Sequence, residues 1–199
     1  LRKLPIKILS GLYQLQDTTS IQKEQISDFL ITFFEIKSNK NQKILNSILE
    51  FFKTMIKNND TDGLNIINIQ NICLNLMMEN KNVAILTNSI LILNLTFNYD
   101  SESIPIISEE IQFKRLIKLS KDQQNSLSRA SLLIINSIMQ IDPSFFNYFL
   151  SNDIVPIVLS KLDNDFKLET KYAAASILSL IVMNGTIEQQ LSSAQSGFI

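Results

Sequence analysis

The chain has 199 residues, 45% of them apolar and 19% charged, with a net charge of −1. That balance supports a large core, excludes a mostly disordered chain, and leaves no global field to draw it to nucleic acid or to an anionic membrane. With no His, no Trp and one Cys, the chain lacks the usual general base, the commonest metal ligand and any internal disulfide.

Only four Gly and four Pro are present, which suits long helices joined by short connections. The tetrapeptide Asn46-Ser47-Ile48-Leu49 recurs as Asn88-Ser89-Ile90-Leu91, an offset of 42. Carried on from Asn94, that step reaches Asn136, and a step of 43 then reaches Ser179. Carried back, it reaches Phe52 and then Ser10.

In chain order, the apolar helical segments expected around these points are Leu4 to Leu15, Ile44 to Ile56, Val83 to Phe97, Ser128 to Ile141 and Thr170 to Met183. They are apolar almost all round, so each must be covered on most sides. Between them lie more amphipathic helices, expected over Ile21 to Ile36, Leu64 to Met78, Glu109 to Leu119 and Pro143 to Leu162. The last is interrupted at Asn152-Asp153, after which Pro156 suits the first turn of a new helix. Asp60 to Gly63, Asp100 to Ser103 and Asn184-Gly185 read as turns, with Gly185 expected in a left-handed helix cap. No clean alternating runs predict strands. The longest apolar run, Ile90 to Leu93, is far short of the ~20 residues that cross a bilayer.

This pattern resembles the armadillo repeat, whose third helix lies between neighbouring repeats and leaves a narrow stripe on a concave face. The expected fold is an all-α, right-handed armadillo-type α-solenoid of about five repeats of 42–43 residues, the terminal ones incomplete. Residues 1–199 form a single solenoid fragment on this reading, with joints near 16, 60, 102, 143 and 186.

The last stretch narrows the family. Asp165-Phe166-Lys167, then Lys171-Tyr172-Ala173-Ala174-Ala175-Ser176-Ile177, then Asn184-Gly185-Thr186-Ile187-Glu188-Gln189-Gln190, ending Gly197-Phe198-Ile199, resembles importin alpha in order and spacing. The specific resemblance covers about residues 128–199. It implies a nuclear import adaptor, resident in cytoplasm and nucleus, that holds an extended peptide such as a nuclear localisation signal in its groove. It also implies an importin-beta partner, engaged through a segment outside this chain. No cofactor, metal, nucleic acid or membrane is expected.

In that family a recurring Trp and Asn, four residues apart, line the groove, where Trp rings attract Lys and Asn side chains bond the peptide backbone. Here the Trp positions are held by Ile6, Ile48, Ile90, Leu132 and Ala175. The Asn positions read Ser10, Phe52, Asn94, Asn136 and Ser179. The family's Glu is replaced by Thr87, Arg129 and Tyr172. The expected partner-binding residues are therefore Asn94, Asn136, Ser179, Ile90, Leu132 and Ala175. Asn94 and Asn136 have two readings, a grip on a peptide backbone or a helix–helix hydrogen bond within the scaffold. The alternative function is a structural scaffold assembled into a larger complex, which the missing Trp ladder favours. Glu109-Glu110 is expected to open a helix, and Lys114, Arg115 and Lys118 to form a solvated outer face.

Overall fold

The computed structural model describes residues 42–62, 64–97, 107–163 and 165–193, together with Gln25, Asp28, Ile31 and Thr32 in helical backbone. The segments expected at Leu4 to Leu15 and at Asp100 to Ser103, and most of Ile21 to Ile36, lie outside the described residues. Among the described residues every regular element is helical. The chain forms two compact units, residues 1–106 and 107–199.

Unit 1 contains α1 (Gln42–Lys57), α2 (Ile66–Glu79) and α3 (Val83–Thr96). Asparagine supplies the helix boundaries. Asn59 takes a left-handed backbone at φ 57° after α1. Its N–H reaches the Ile56 carbonyl and the Asp60 N–H reaches that of Met55, which closes the helix in a Schellman cap. Asn65 and Asn82 cap α2 and α3 by accepting from the N–H groups of Asn68, and of Ala84 and Ile85. α3 packs on both α1 and α2. That double cover explains its nearly continuous apolar surface: Ile85, Leu86, Ile90, Ile92 and Leu93 are all buried. Full burial of each such side chain stabilises by about 1.5–3 kcal/mol. Cys73 lies fully buried on α2 as a small apolar group, and burial pushes its thiol pKa far up.

Unit 2 contains α4 (Glu110–Ser120), α5 (Asn125–Met139), α6 (Pro143–Ser151), α7 (Ile154–Ser160), α8 (Leu168–Asn184) and α9 (Ile187–Ser193). Asp142 caps α6, with Pro143 in its first turn. The break expected at Asn152-Asp153 is present. Asp153 turns the chain through φ 60°, and Pro156 falls in the first turn of α7. Long α5 packs on α4 and on α8, while α8 also packs on α7. Phe113 of α4 makes ring contacts with Phe145, Tyr148 and Phe149 of α6, centroids 5.1 to 5.3 Å apart.

The repeat step reappears as hydrogen bonds between residues 42 apart. Asn88 Nδ2 donates to Asn46 Oδ1, the Lys167 N–H to Asn125 Oδ1, and Gln189 Nε2 to Asn147 Oδ1. Segments 42 residues apart thus meet within each unit, an arrangement compatible with an α-solenoid.

Gly185 departs from expectation. Its backbone is extended, at φ −70° and ψ 151°, rather than left-handed. The glycine is required for a different reason: its N–H bonds the Ile181 carbonyl at 2.8 Å, and a Cβ here would lie 2.5 Å from that same oxygen. The chain leaves α8 in tight contact with its last turn and enters α9 two residues later.

Candidate interaction face

The long helices α3 and α5 each leave one narrow stripe uncovered, and α8 leaves a broader one that also includes Val182. On α3 it runs through Ala84, Leu91, Asn94 and Leu95. On α5 it runs through Ser126, Arg129, Leu133 and Asn136, and on α8 through Tyr172, Ala175, Ser176, Ser179 and Met183. The i, i+3, i+4 spacing places each set on one helix face.

Of the residues expected to bind a partner, Asn94 and Asn136 are half-buried, and Ser179 and Ala175 are exposed. Within unit 2 the packing of α5 on α8 brings the stripes of Asn136 and Ser179 onto neighbouring helices. Asn94 belongs to unit 1. Ile90 and Leu132 are corrections: both are 0% exposed and form part of the core. Counting four residues back from each Asn lands on the covered side of the helix. The uncovered positions are three back, at Leu91 and Leu133.

The chemistry of the unit 2 face centres on Asn136. Its Oδ1 is buried and has no hydrogen-bond partner. A buried amide oxygen left unpaired costs about 1–3 kcal/mol, so the face carries an unused acceptor. The same stripe of α5 carries an exposed cation, Arg129, and the apolar Leu133, and α8 exposes Tyr172 and Met183. The Ser179 hydroxyl points to Met183 Sδ at 3.8 Å.

In unit 1 a polar cluster crosses the seam between α1 and α3. Asn88 accepts from Lys53 Nζ at 2.7 Å and donates to Asn46 Oδ1 at 2.9 Å and to Glu50 Oε1 at 2.7 Å. Glu50 Oε2 also pairs with Lys53 at 2.7 Å. Burial alone would raise the Glu50 pKa, but the hydrogen bonds from Lys53 and Asn88, with the Lys53 charge, hold it below its ordinary value. The sequence carried a signal for this cluster, since Asn46 and Asn88 open the repeated tetrapeptide.

Lys161 is a second feature that sequence reasoning missed. It is 2% exposed, and its ammonium donates to the carbonyls of Asp122 and Lys121 at 2.7 and 3.3 Å. Those carbonyls belong to the C-cap of α4 and the residue after it, close to the helix end where a cation is favoured. The ammonium also lies 4.3 Å from the centre of the Phe166 ring. Burial lowers its pKa, and the charge of Asp122 opposes that shift in part. An open cleft of about 680 Å³ beside it is lined by Asp153, Asp163, Asp165 and Phe166 among others.

Glu109 and Glu110 stand at the start of α4, where Gln112 Oε1 accepts from the N–H groups of Ser108 and Glu109. Lys114 is exposed and pairs with Glu110. Among the described residues no group of three or more His, Cys, Asp or Glu could hold a metal ion, and no helix is long and apolar enough to cross a membrane. The chain matches no protein-family model and no curated protein.

Proposed function

We propose that this chain belongs to a right-handed armadillo-type solenoid, similar to importin alpha, that holds an extended segment of a partner protein along the uncovered stripe of its long helices and serves nuclear import. The observation that supports it best is the unpartnered Oδ1 of Asn136 on that stripe. An extended segment presents an N–H along each edge at every second residue, and such a donor pairs with this oxygen once the half-buried amide turns it outward. Asn94 holds the equivalent repeat position 42 residues earlier.

The stripe is built differently from one that reads basic signals. Arg129 stands where an acid would meet a cargo lysine, and no Trp offers a π face. Each desolvated cation–π contact is worth up to ~2 kcal/mol, so a Lys-rich cargo loses much of its side-chain recognition. Fluorescence anisotropy with a labelled Lys-rich signal peptide, and with the same peptide carrying Glu for Lys, tests the import role. Binding of the Lys-rich peptide at low salt that weakens as salt rises supports it; no binding at low salt removes it.

A second reading, a structural scaffold fixed in a larger complex, draws on Ile48, Ile90 and Leu132. These three of the five positions that a Trp ladder would need are buried.

A further inference from the structure

The stripe of α5 carries charge of the sign that suits an anion. Arg129 is exposed, and among the described residues it pairs with no carboxylate. α5 itself contains no Asp or Glu. On neighbouring α8 the one acid is Glu169, in the first turn and three residues before Tyr172, and it makes no ion pair with Arg129. A guanidinium presents its N–H donors in a rigid fork that matches the two oxygens of a carboxylate. Arg129 holds that fork toward solvent with nothing in it.

The cation belongs to one repeat alone. Its register position is held by Thr87 on α3, a step of 42 earlier, and by Tyr172 on α8, a step of 43 later. Thr87 Oγ1 is buried and unpartnered, and Tyr172 is 65% exposed, so both neighbours present a hydroxyl rather than a cation. No residue of α3 carries a charge. Arg129 and Asn136 lie on one face of α5, two turns apart, a rise of about 10 Å. An extended chain covers that distance in about three residues, so one segment meets both side chains.

We propose that the segment held on this stripe carries a single acidic side chain, Asp or Glu, opposite Arg129, and that this position of α5 selects a carboxylate and rejects a lysine. The proposal rests on the reading of the stripe as a peptide groove and adds the charge of one residue in its occupant.

A displayed library of random unstructured peptides, selected in parallel on the protein and on its Arg129→Glu variant, tests it. Arg129 is exposed, so the variant should show the circular dichroism of the wild type. The expected result is enrichment of Asp or Glu at one peptide position on the wild type, and of Lys or Arg at that position on Arg129→Glu. In fluorescence anisotropy, a selected acidic peptide should bind at least ~5-fold more weakly when its acid becomes Lys or when Arg129 becomes Glu, and recover when the two changes are combined. Lys118→Glu, on the outer face of α4, should leave its affinity unchanged. Selected peptides without a charge preference, with a preference for Lys, or with one that Arg129→Glu does not move overturn the proposal. The groove reading survives that outcome if Asn136→Leu still weakens those peptides. Selection of no peptide at all removes both.

Discussion

Replacing Asn88 by Ala removes the centre of the α1–α3 seam. Asn88 is 4% exposed, and its amide exchanges three hydrogen bonds, two of them with the charged Lys53 and Glu50. A hydrogen bond to a charged group is worth roughly 1.5–3 kcal/mol when buried, and a neutral one about 1. The partners are partly exposed, with side-chain accessibilities of 23% for Lys53 and 49% for Glu50, and they keep their own ion pair. Water can thus replace much of what is lost, and the expected destabilisation is about 2 kcal/mol rather than the full sum. Urea unfolding followed by circular dichroism measures it, at pH 7 and again in acid. The pH dependence has a definite sign. The folded-state pKa of Glu50 lies below its ordinary 4.5, so its contribution is present above that value and fades as pH falls through the folded pKa. The gap between wild type and Asn88→Ala should therefore narrow in acid. A loss below about 0.5 kcal/mol at pH 7, or a gap that widens in acid, refutes the reasoning.

Three further outcomes follow from the packing. Leu132→Ala should cost about 2–5 kcal/mol in urea unfolding; a cost under about 1 kcal/mol would return Leu132 to the surface. Gly185→Ala forces a Cβ against the Ile181 carbonyl and should destabilise the α8–α9 junction by about 1–3 kcal/mol, seen as faster amide exchange there, whereas unchanged exchange contradicts the contact. Lys161→Met leaves the Lys121 and Asp122 carbonyls without their donor, so its melting temperature should fall, corresponding to about 1–3 kcal/mol; a variant as stable as wild type shows that water serves those carbonyls equally well.

The long helices were legible because their apolar segments recur at a fixed step, and that step survives as hydrogen bonds between residues 42 apart. Asn152-Asp153 and Pro156 likewise announced the break between α6 and α7. The uncovered stripe was not legible in phase. α3 is apolar nearly all round, so residues three and four positions before Asn94 look equally fit for the surface. Only packing against α1 and α2 distinguishes buried Ile90 from half-exposed Leu91. Gly185 failed for a related reason: a glycine after a helix signals a left-handed cap or a close approach equally well, and the carbonyl of Ile181 decides which. Lys161 gave no signal, because its partners are backbone carbonyls about 40 residues away.

The unfolding midpoint of Asn136→Leu tests the central claim most directly. An acceptor held ready for a partner is a burden to the free protein, since its Oδ1 is buried and unpaired. Replacing the amide with an apolar side chain of similar size should then stabilise the chain, by about 1 kcal/mol. Most substitutions destabilise, so this direction is distinctive. A loss of about 1 kcal/mol or more would contradict the account and make Asn136 a scaffold residue that holds helices together.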